Sequence, residues 1–312
     1  MRGVRVAAVD MGTNSTRLLV ADVDGDRLVT LDRRMRITRL GAGVDAARRL
    51  QPEAIARVTD ALGEFAAAIQ EHRVERVRAV TTSAARDAIN ADELLDAATA
   101  MLGVRPEIIS GIEEGSLSFA GAVTDLQEPG PYLVVDVGGG STELVSGAGT
   151  SGAGEPDGVV SIDAGCVRIT EQYLHSDPPQ PEELSAAVTV VRDLLADAAR
   201  MLPGAAAAKT LVGLAGTVSA MAAIEQGLAA YDRDRIHGFR LKREVAEELF
   251  RTLATESSAE RRHNPGLEPG RVDVIVGGII VVVCVLRQWN FDELVCSESD
   301  ILDGMARRLA PS

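Results

Sequence analysis

The sequence predicts an α/β fold built twice, as two similar units, and three observations carry that prediction. Residues 9–21 (VDMGTNSTRLLVA) and 135–147 (VDVGGGSTELVSG) align without a gap at an offset of 126, with six of thirteen positions identical. Each copy reads as an apolar strand, a glycine turn and a second apolar strand. Between and after the copies, helical spacings of three and four alternate with short apolar runs. An internal repeat of this kind means related units, and 312 residues are enough for two domains, each with its own core.

The elements follow in order. Residues 4–9 and 17–23 are strands around the first glycine turn, and Asp24-Gly25 is a hairpin signal into a third strand at 27–33. Pro52 opens an amphipathic helix to about residue 70, with Ile55, Val58, Leu62, Phe65 and Ile69 on one face. Residues 77–81 are a strand, after which Thr82-Ser83 caps a helix with Arg86 in its first turn. Asp92 begins the next helix, residues 104–109 are a strand, and Ser110 starts another helix. The run 124–131, with two prolines and a glycine, is the linker, giving domains at 1–124 and 125–312 with the last helix, about 300–312, packing back on the first.

After the second glycine turn, residues 146–158 are rich in Gly, Ser and Ala and read as a mobile hairpin tip. Residues 166–173 start a helix, and the prolines at 178, 179 and 181 separate it from a long one over 181–201. A strand at 209–214 enters a third glycine turn, 213–217, and a helix at 218–226. Residues 241–253 are helical, 256–270 form a polar loop, and the apolar segment 272–286 is a buried helix despite its valines. A last strand at 294–296 and a last helix at 300–309 complete the chain.

Composition narrows the function classes. The chain is 46% hydrophobic and 25% charged, and its longest apolar run, 274–286, falls short of the roughly 20 residues of a membrane span. A net charge of −14 argues against a general nucleic-acid binder. Three cysteines without a CxxC pair, and an N-terminus that enters a strand directly, fit a reduced cytoplasm without a signal peptide.

The chemistry concentrates at the repeats. Glycines there let backbone N–H groups approach an anion, which is how a chain builds a phosphate cradle. Asp10 and Asp136 each end a strand just before the turn, where a carboxylate can hold Mg²⁺ against phosphate. Asn14, Ser15 and Thr16 in one copy, and Ser141 and Thr142 in the other, offer side-chain donors. The copies diverge where Arg17 aligns with Glu143, a cation against a carboxylate. In IISGIEEG, Ser110 and Glu113 match a capping box, whereas Glu114 has no such explanation and is a candidate general base.

These stretches resemble the exopolyphosphatase and guanosine pentaphosphate phosphohydrolase (Ppx/GppA) family, in the actin, Hsp70 and sugar-kinase superfamily. The resemblance is carried by VDMGTNSTRLLV, TRLGAGV, TSAARDAIN, ISGIEEG, VDVGGGSTELV, SIDAGCVRITEQY, GLAGTVSAMA, RVDVIVGG and SESDILDGMA, and covers essentially the whole chain. It implies two actin-like (ribonuclease H-like) domains flanking an active-site cleft, and metal-dependent removal of terminal phosphate from inorganic polyphosphate. By motif position it puts the catalytic glutamate at Glu114 and the acidic residues of the second phosphate loop at Asp136 and Glu143, which join Asp10 as the metal-holding acids. It puts phosphate contacts at Gly12, Thr13, Asn14 and Ser15, at Arg86, at Gly138, Gly139, Gly140, Ser141 and Thr142, and at Gly216 and Thr217; Arg17, the cation of the first repeat, is a further candidate for phosphate. The metal it implies is Mg²⁺, with Mn²⁺ the other candidate; the partners are polyphosphate, with pppGpp or ppGpp as substrate or inhibitor, and a second copy of the chain.

Two departures shape the expectation. The chain looks like the short two-domain form, which favours short polymers over processive action on long ones. The third motif reads AGTVSAM, with fewer hydroxyls than many relatives carry, which weakens the inference of a bound nucleotide. The competing readings are a pppGpp phosphohydrolase, an ATP-dependent kinase of the same superfamily, and a non-catalytic sensor of polyphosphate or ppGpp.

Overall fold

A computed structural model of the chain describes residues 3–124, 126–149 and 155–310. These divide into two compact units, Met1–Gly121 with Asp300–Ser312, and Ala122–Ser299.

The first unit is built on a five-stranded sheet, β1 (Val4–Met11), β2 (Ser15–Asp24), β3 (Arg27–Ile37), β4 (Arg76–Thr81) and β5 (Glu107–Ile108), in the order β3-β2-β1-β4-β5. β2 is antiparallel to β1 and β3, and β4 runs parallel to β1 and β5. Side chains alternate between the faces of a strand, and in β1 both faces are apolar because both are covered. Ala7, Val9 and Met11 join Val58, Leu62 and Phe65 of the helix Pro52–Glu71. Val6 and Ala8 join Ile301, Leu302 and Met305 of the last helix, Ile301–Leu309. The expected strand at 104–109 shrinks to the two residues of β5, which follow Pro106, a residue with no N–H for a ladder.

The second unit repeats the plan with β6 (Tyr132–Val137), β7 (Thr142–Gly147), β8 (Gly158–Ile162), β9 (Thr210–Leu214), β10 (Arg240–Lys242) and β11 (Glu293–Cys296), in the order β10-β11-β9-β6-β7-β8. From the far edge, β8-β7-β6-β9-β11 reproduces β3-β2-β1-β4-β5, antiparallel for three strands and parallel afterwards. The sheet is thus built twice, as the sequence repeat predicts. Of residues 146–158, which the sequence reads as a mobile hairpin tip, Ser146 and Gly147 belong to β7 and Gly158 to β8, while 150–154 lie outside the described residues.

The helix Ile275–Gln288 is buried on every side from Ile275 to Leu286, enclosed by helices Cys166–Tyr173, Pro181–Met201 and Arg243–Thr255. At roughly 1.5–3 kcal/mol for each fully buried large aliphatic side chain, such a segment is a main contributor to its core. Among the described residues no helix is long and apolar enough to cross a membrane. The three cysteines are free and buried, and burial pushes the Cys284 thiol up to about 11.

Candidate active site

In the first unit the glycine turn is a hairpin whose register sets Asp10 opposite Arg17 on β1 and β2. Directly opposed side chains share a face. Arg17 therefore reaches Asp10, donating from Nη2 at 2.6 Å and Nε at 3.0 Å to Oδ2. Asp10 is 3% exposed. Burial raises its carboxyl above the ordinary value, more than Arg17 draws it down, and Asp300 adds to the rise. Asp10 Oδ1 is buried with no hydrogen-bond partner, as are Thr13 Oγ1 and Asn14 Nδ2.

The backbone of this turn is polarised. Gly12 N–H closes the hairpin on Ser15 O at 3.0 Å. The Thr13 carbonyl accepts from Gly41 N–H, and the Asn14 carbonyl accepts from both Thr38 and Arg39 N–H. Among the described residues the Thr13 and Asn14 N–H groups donate to no backbone oxygen. Acceptors are thus tied to the TRLGAGV segment while donors are left over, which suits an oxyanion.

The second unit builds the same object with different side chains. Gly138 N–H donates to Ser141 O at 3.0 Å, and the register sets Asp136 opposite Glu143. The Gly138 carbonyl accepts from Cys166 N–H, and the Gly139 carbonyl from the N–H groups of Val167 and Arg168. The Gly140 carbonyl accepts from Arg168 Nε at 2.7 Å. Again the N–H groups of Gly139 and Gly140 donate to no backbone oxygen among the described residues. Gly165 lets the helix Cys166–Tyr173 press this close, since a Cβ there would stand 2.3 Å from Gly139 C and O. Asp136 is 8% exposed and Glu143 fully buried, with Ser161 Oγ donating to Glu143 Oε1 at 2.8 Å.

Arg86 and Glu114 meet in the first unit. Arg86 Nη1 donates to Glu114 Oε2 at 2.8 Å and to Ile109 O at 2.9 Å. Arg86 stands in the last turn of the five-residue helix Ser83–Asp87, not in the first turn of a longer one. Thr82, the expected cap, makes no side-chain cap bond, so Arg86 is placed by its partners instead. Glu114 lies in the first turn of the helix Gly111–Thr124. Ser110 Oγ accepts from Glu113 N–H as a capping box requires, and the Glu113 carboxylate receives Arg78 at 2.6 Å.

Could these residues hold a divalent cation? Among the described residues no three His, Cys, Asp or Glu side chains form a ready-made cage. Mg²⁺ needs none, because it is commonly held by one or two carboxylates with water and substrate phosphate. The unpartnered Asp10 Oδ1 and the Asp136–Glu143 pair fit that pattern.

Similarity to known proteins points to one family. The profile of the Ppx/GppA phosphatase family matches residues 19–312. Exopolyphosphatase 2 of Mycobacterium tuberculosis is 45% identical over 98% of both chains. The chain belongs to the Ppx/GppA phosphatase family. An exopolyphosphatase-like protein of known crystal structure superposes with a TM-score of 0.94 at 40% identity, covering 99% of this chain and 98% of that one. The Ppx/GppA enzyme of Aquifex aeolicus superposes with a TM-score of 0.82 at 33% identity, covering 98% of this chain and 99% of that one.

Within this Ppx/GppA chain two of the expected hydroxyl donors are buried. Thr142 is fully buried and its hydroxyl donates to Ala164 O at 2.5 Å, fixing the end of β8. The Thr142 hydroxyl is thereby bonded within the scaffold. Thr217 is buried and lies close to Gly278, where a Cβ would meet Thr217 Oγ1 at 2.3 Å. The third glycine turn is not a turn. β9 runs straight into the helix Ala215–Glu225, with Ala215 at φ 68°.

That junction also holds a residue to which the sequence assigned no role. The Arg271 guanidinium covers Gly216 so closely that a Cβ there would lie 2.0 Å from its Cζ. Arg271 Nε donates to Glu268 at 2.8 Å, and the side chain is 13% exposed. A mostly buried cation over a helix N-terminus strengthens the preference of that end for an anion. RVDVIVGG carried the signal, and its glycines serve the same neighbourhood: Gly277 and Gly278 let their helix approach Thr170 and Thr217.

Proposed function

We propose that this chain is an exopolyphosphatase that hydrolyses the terminal phosphoanhydride bond of inorganic polyphosphate with the aid of a divalent metal, Mg²⁺ before Mn²⁺. The observation that carries the reading is the loop plan found in each unit by itself: loop carbonyls are bonded away, and N–H groups, of Thr13 and Asn14 in one loop and of Gly139 and Gly140 in the other, are left for an oxyanion. The name of the mycobacterial relative supports the same substrate class.

In this reading Glu114 orients and deprotonates the attacking water. Arg86 fixes that carboxylate by Oε2 and contributes positive charge to the transferring phosphoryl group. Ser15 and Asn14 in the first half-site, Ser141 in the second, and Arg271 over Gly216 add donors. Asp10, Asp136 and Glu143 are the metal-holding carboxylates, and a bound cation would offset charge on the phosphate oxygens. Phosphoryl transfer asks mostly for positioning and electrostatics, which fixed amides and arginines supply.

The test is phosphate release from short and long polyphosphate and from pppGpp, with Mg²⁺ or EDTA, by wild type and Glu114→Gln. Metal-dependent release, fastest from short polyphosphate, is expected to fall about 10²- to 10⁴-fold in the variant, the range of a general base, with substrate binding retained. Near-normal turnover by Glu114→Gln would remove that residue from the chemistry. Release from pppGpp alone would replace the substrate.

A further inference from the structure

Arg17 is gripped from two sides. Besides its bonds to Asp10, it donates from Nη1 to Asp300 Oδ2 at 2.5 Å. Asp300 is the N-cap of the last helix, and its Oδ1 accepts from Leu302 N–H at 2.9 Å and from Arg33 Nη2 at 3.0 Å. Arg33 also donates to Asp303, whose Oδ2 accepts from Asp300 N–H. A chain of alternating charge thus runs Asp10, Arg17, Asp300, Arg33, Asp303, with side chains at most 22% exposed. The helix bearing Asp300 is seated without slack on the helix bearing Glu114. A Cβ on Gly121 would lie 1.9 Å from Asp300 O, and one on Gly304 would lie 2.1 Å from Leu117 O.

We propose that Asp300 is a positioning residue for the metal half-site: it holds the Arg17 guanidinium so that Arg17 takes only Oδ2 of Asp10 and leaves Oδ1 to a divalent cation. The inference rests on the reading of Asp10 as a metal ligand. Two effects act in one direction. Asp300 fixes Arg17 by a second anchor, and it shares the arginine charge, so that the two carboxylates and one guanidinium are together attractive to a cation. Without Asp300, the full charge of Arg17 faces the ion across Asp10. Outer-shell partners of this kind typically influence metal affinity about 10- to 100-fold.

The experiment measures Mn²⁺ binding to the full chain by electron paramagnetic resonance, with thermal unfolding alongside, in wild type, Asp300→Asn, Asp300→Glu, Asp10→Asn and Arg76→Ala. Asparagine caps a helix as well as aspartate does, so Asp300→Asn keeps the helix end and removes the charge. Arg76→Ala loosens the other end of the same helix, where Arg76 Nη1 donates to Leu309 O at 2.8 Å, and does not touch Arg17. Mn²⁺ affinity about 10-fold weaker in Asp300→Asn, with partial recovery in Asp300→Glu and none of the loss in Arg76→Ala, supports the inference. Affinity unchanged in Asp300→Asn, or weakened equally in Arg76→Ala, overturns it. If Asp10→Asn also binds Mn²⁺ like wild type, the metal reading of Asp10 falls as well; if Asp10→Asn weakens binding and Asp300→Asn does not, only the role of Asp300 falls.

Discussion

The two glycine hairpins share a register, a closing hydrogen bond of 3.0 Å and a pair of unbonded loop amides, yet their opposed side chains differ in charge. The first sets an arginine against Asp10; the second sets a glutamate against Asp136. Duplication has kept the backbone of the loop and diversified the side chains beside it. The first copy sets a cation beside Asp10, whereas the second puts two acidic side chains on one face, a pairing that by itself is mutually repulsive.

The comparison can be broken most forcefully by making the first copy resemble the second. Arg17→Glu leaves Asp10 and Asp300 without their shared cation, and breaking a buried ion pair typically costs about 3–5 kcal/mol. Urea unfolding should show a loss of that order, partly restored by Mg²⁺, and unchanged stability would mean that the pair is not what distinguishes the copies. The reverse test is Glu143→Gln. Relief of the opposed carboxylates is expected to raise metal-free stability by about 0.2–1 kcal/mol, while the extra stabilisation conferred by Mg²⁺ shrinks. Thermal unfolding with and without Mg²⁺ reads both, and an undiminished Mg²⁺ effect would exclude Glu143 from the metal site.

The glycines behind the loops give a subtler contrast. Gly165→Ala would drive a methyl into the Gly139 backbone, whereas Gly41→Ala meets the Thr13 methyl, a side-chain end that can turn. A displacement of about 1 Å in a reacting group can cost on the order of 10²-fold, so Gly165→Ala should lose turnover by up to that factor and Gly41→Ala by only a few-fold. Equal losses in kcat would mean that the two loops are not supported differently.

The smallest effect concerns Asp10 and pH. Its folded-state carboxyl lies above the ordinary value of 3.8, chiefly through burial. The folded chain therefore binds more protons than the unfolded chain just above that pH. The resulting contribution to stability is full below 3.8 and is lost as pH rises through the raised value. Asp10→Asn should flatten that part of the stability profile, and an unchanged slope in acid would assign it to another group.

Much of the fold was legible because its signals are local. The repeat announced two related units, and spacing at Ile55, Val58, Leu62 and Phe65 gave the helix Pro52–Glu71. The helix Ile275–Gln288 was legible despite its valines because its apolar run is longer than most strands and buried all round. Short elements were harder. A nearby proline curtails β5, and Arg86 is positioned by Ile109 O and Glu114 rather than by a capped helix. Within the candidate site, repeat and motif located the loops and their acidic residues, but partnership was hidden. Arg17 finds Asp300 far along the chain, Thr142 spends its hydroxyl on Ala164, and Arg271 lies over Gly216 through packing that no periodicity records.

The seat of the last helix also has a consequence for synthesis. One face of the first sheet, with Val6, Ala8, Leu19 and Val23, is covered by Ile301, Leu302, Met305 and Ala306. On the ribosome those strands emerge early and their cover late. At about 5–20 residues per second, translation of the second unit holds that face open for roughly ten to forty seconds. The nascent first unit is then a half-finished sandwich, and whatever shields its bare sheet from other chains in that interval helps determine the yield of active protein.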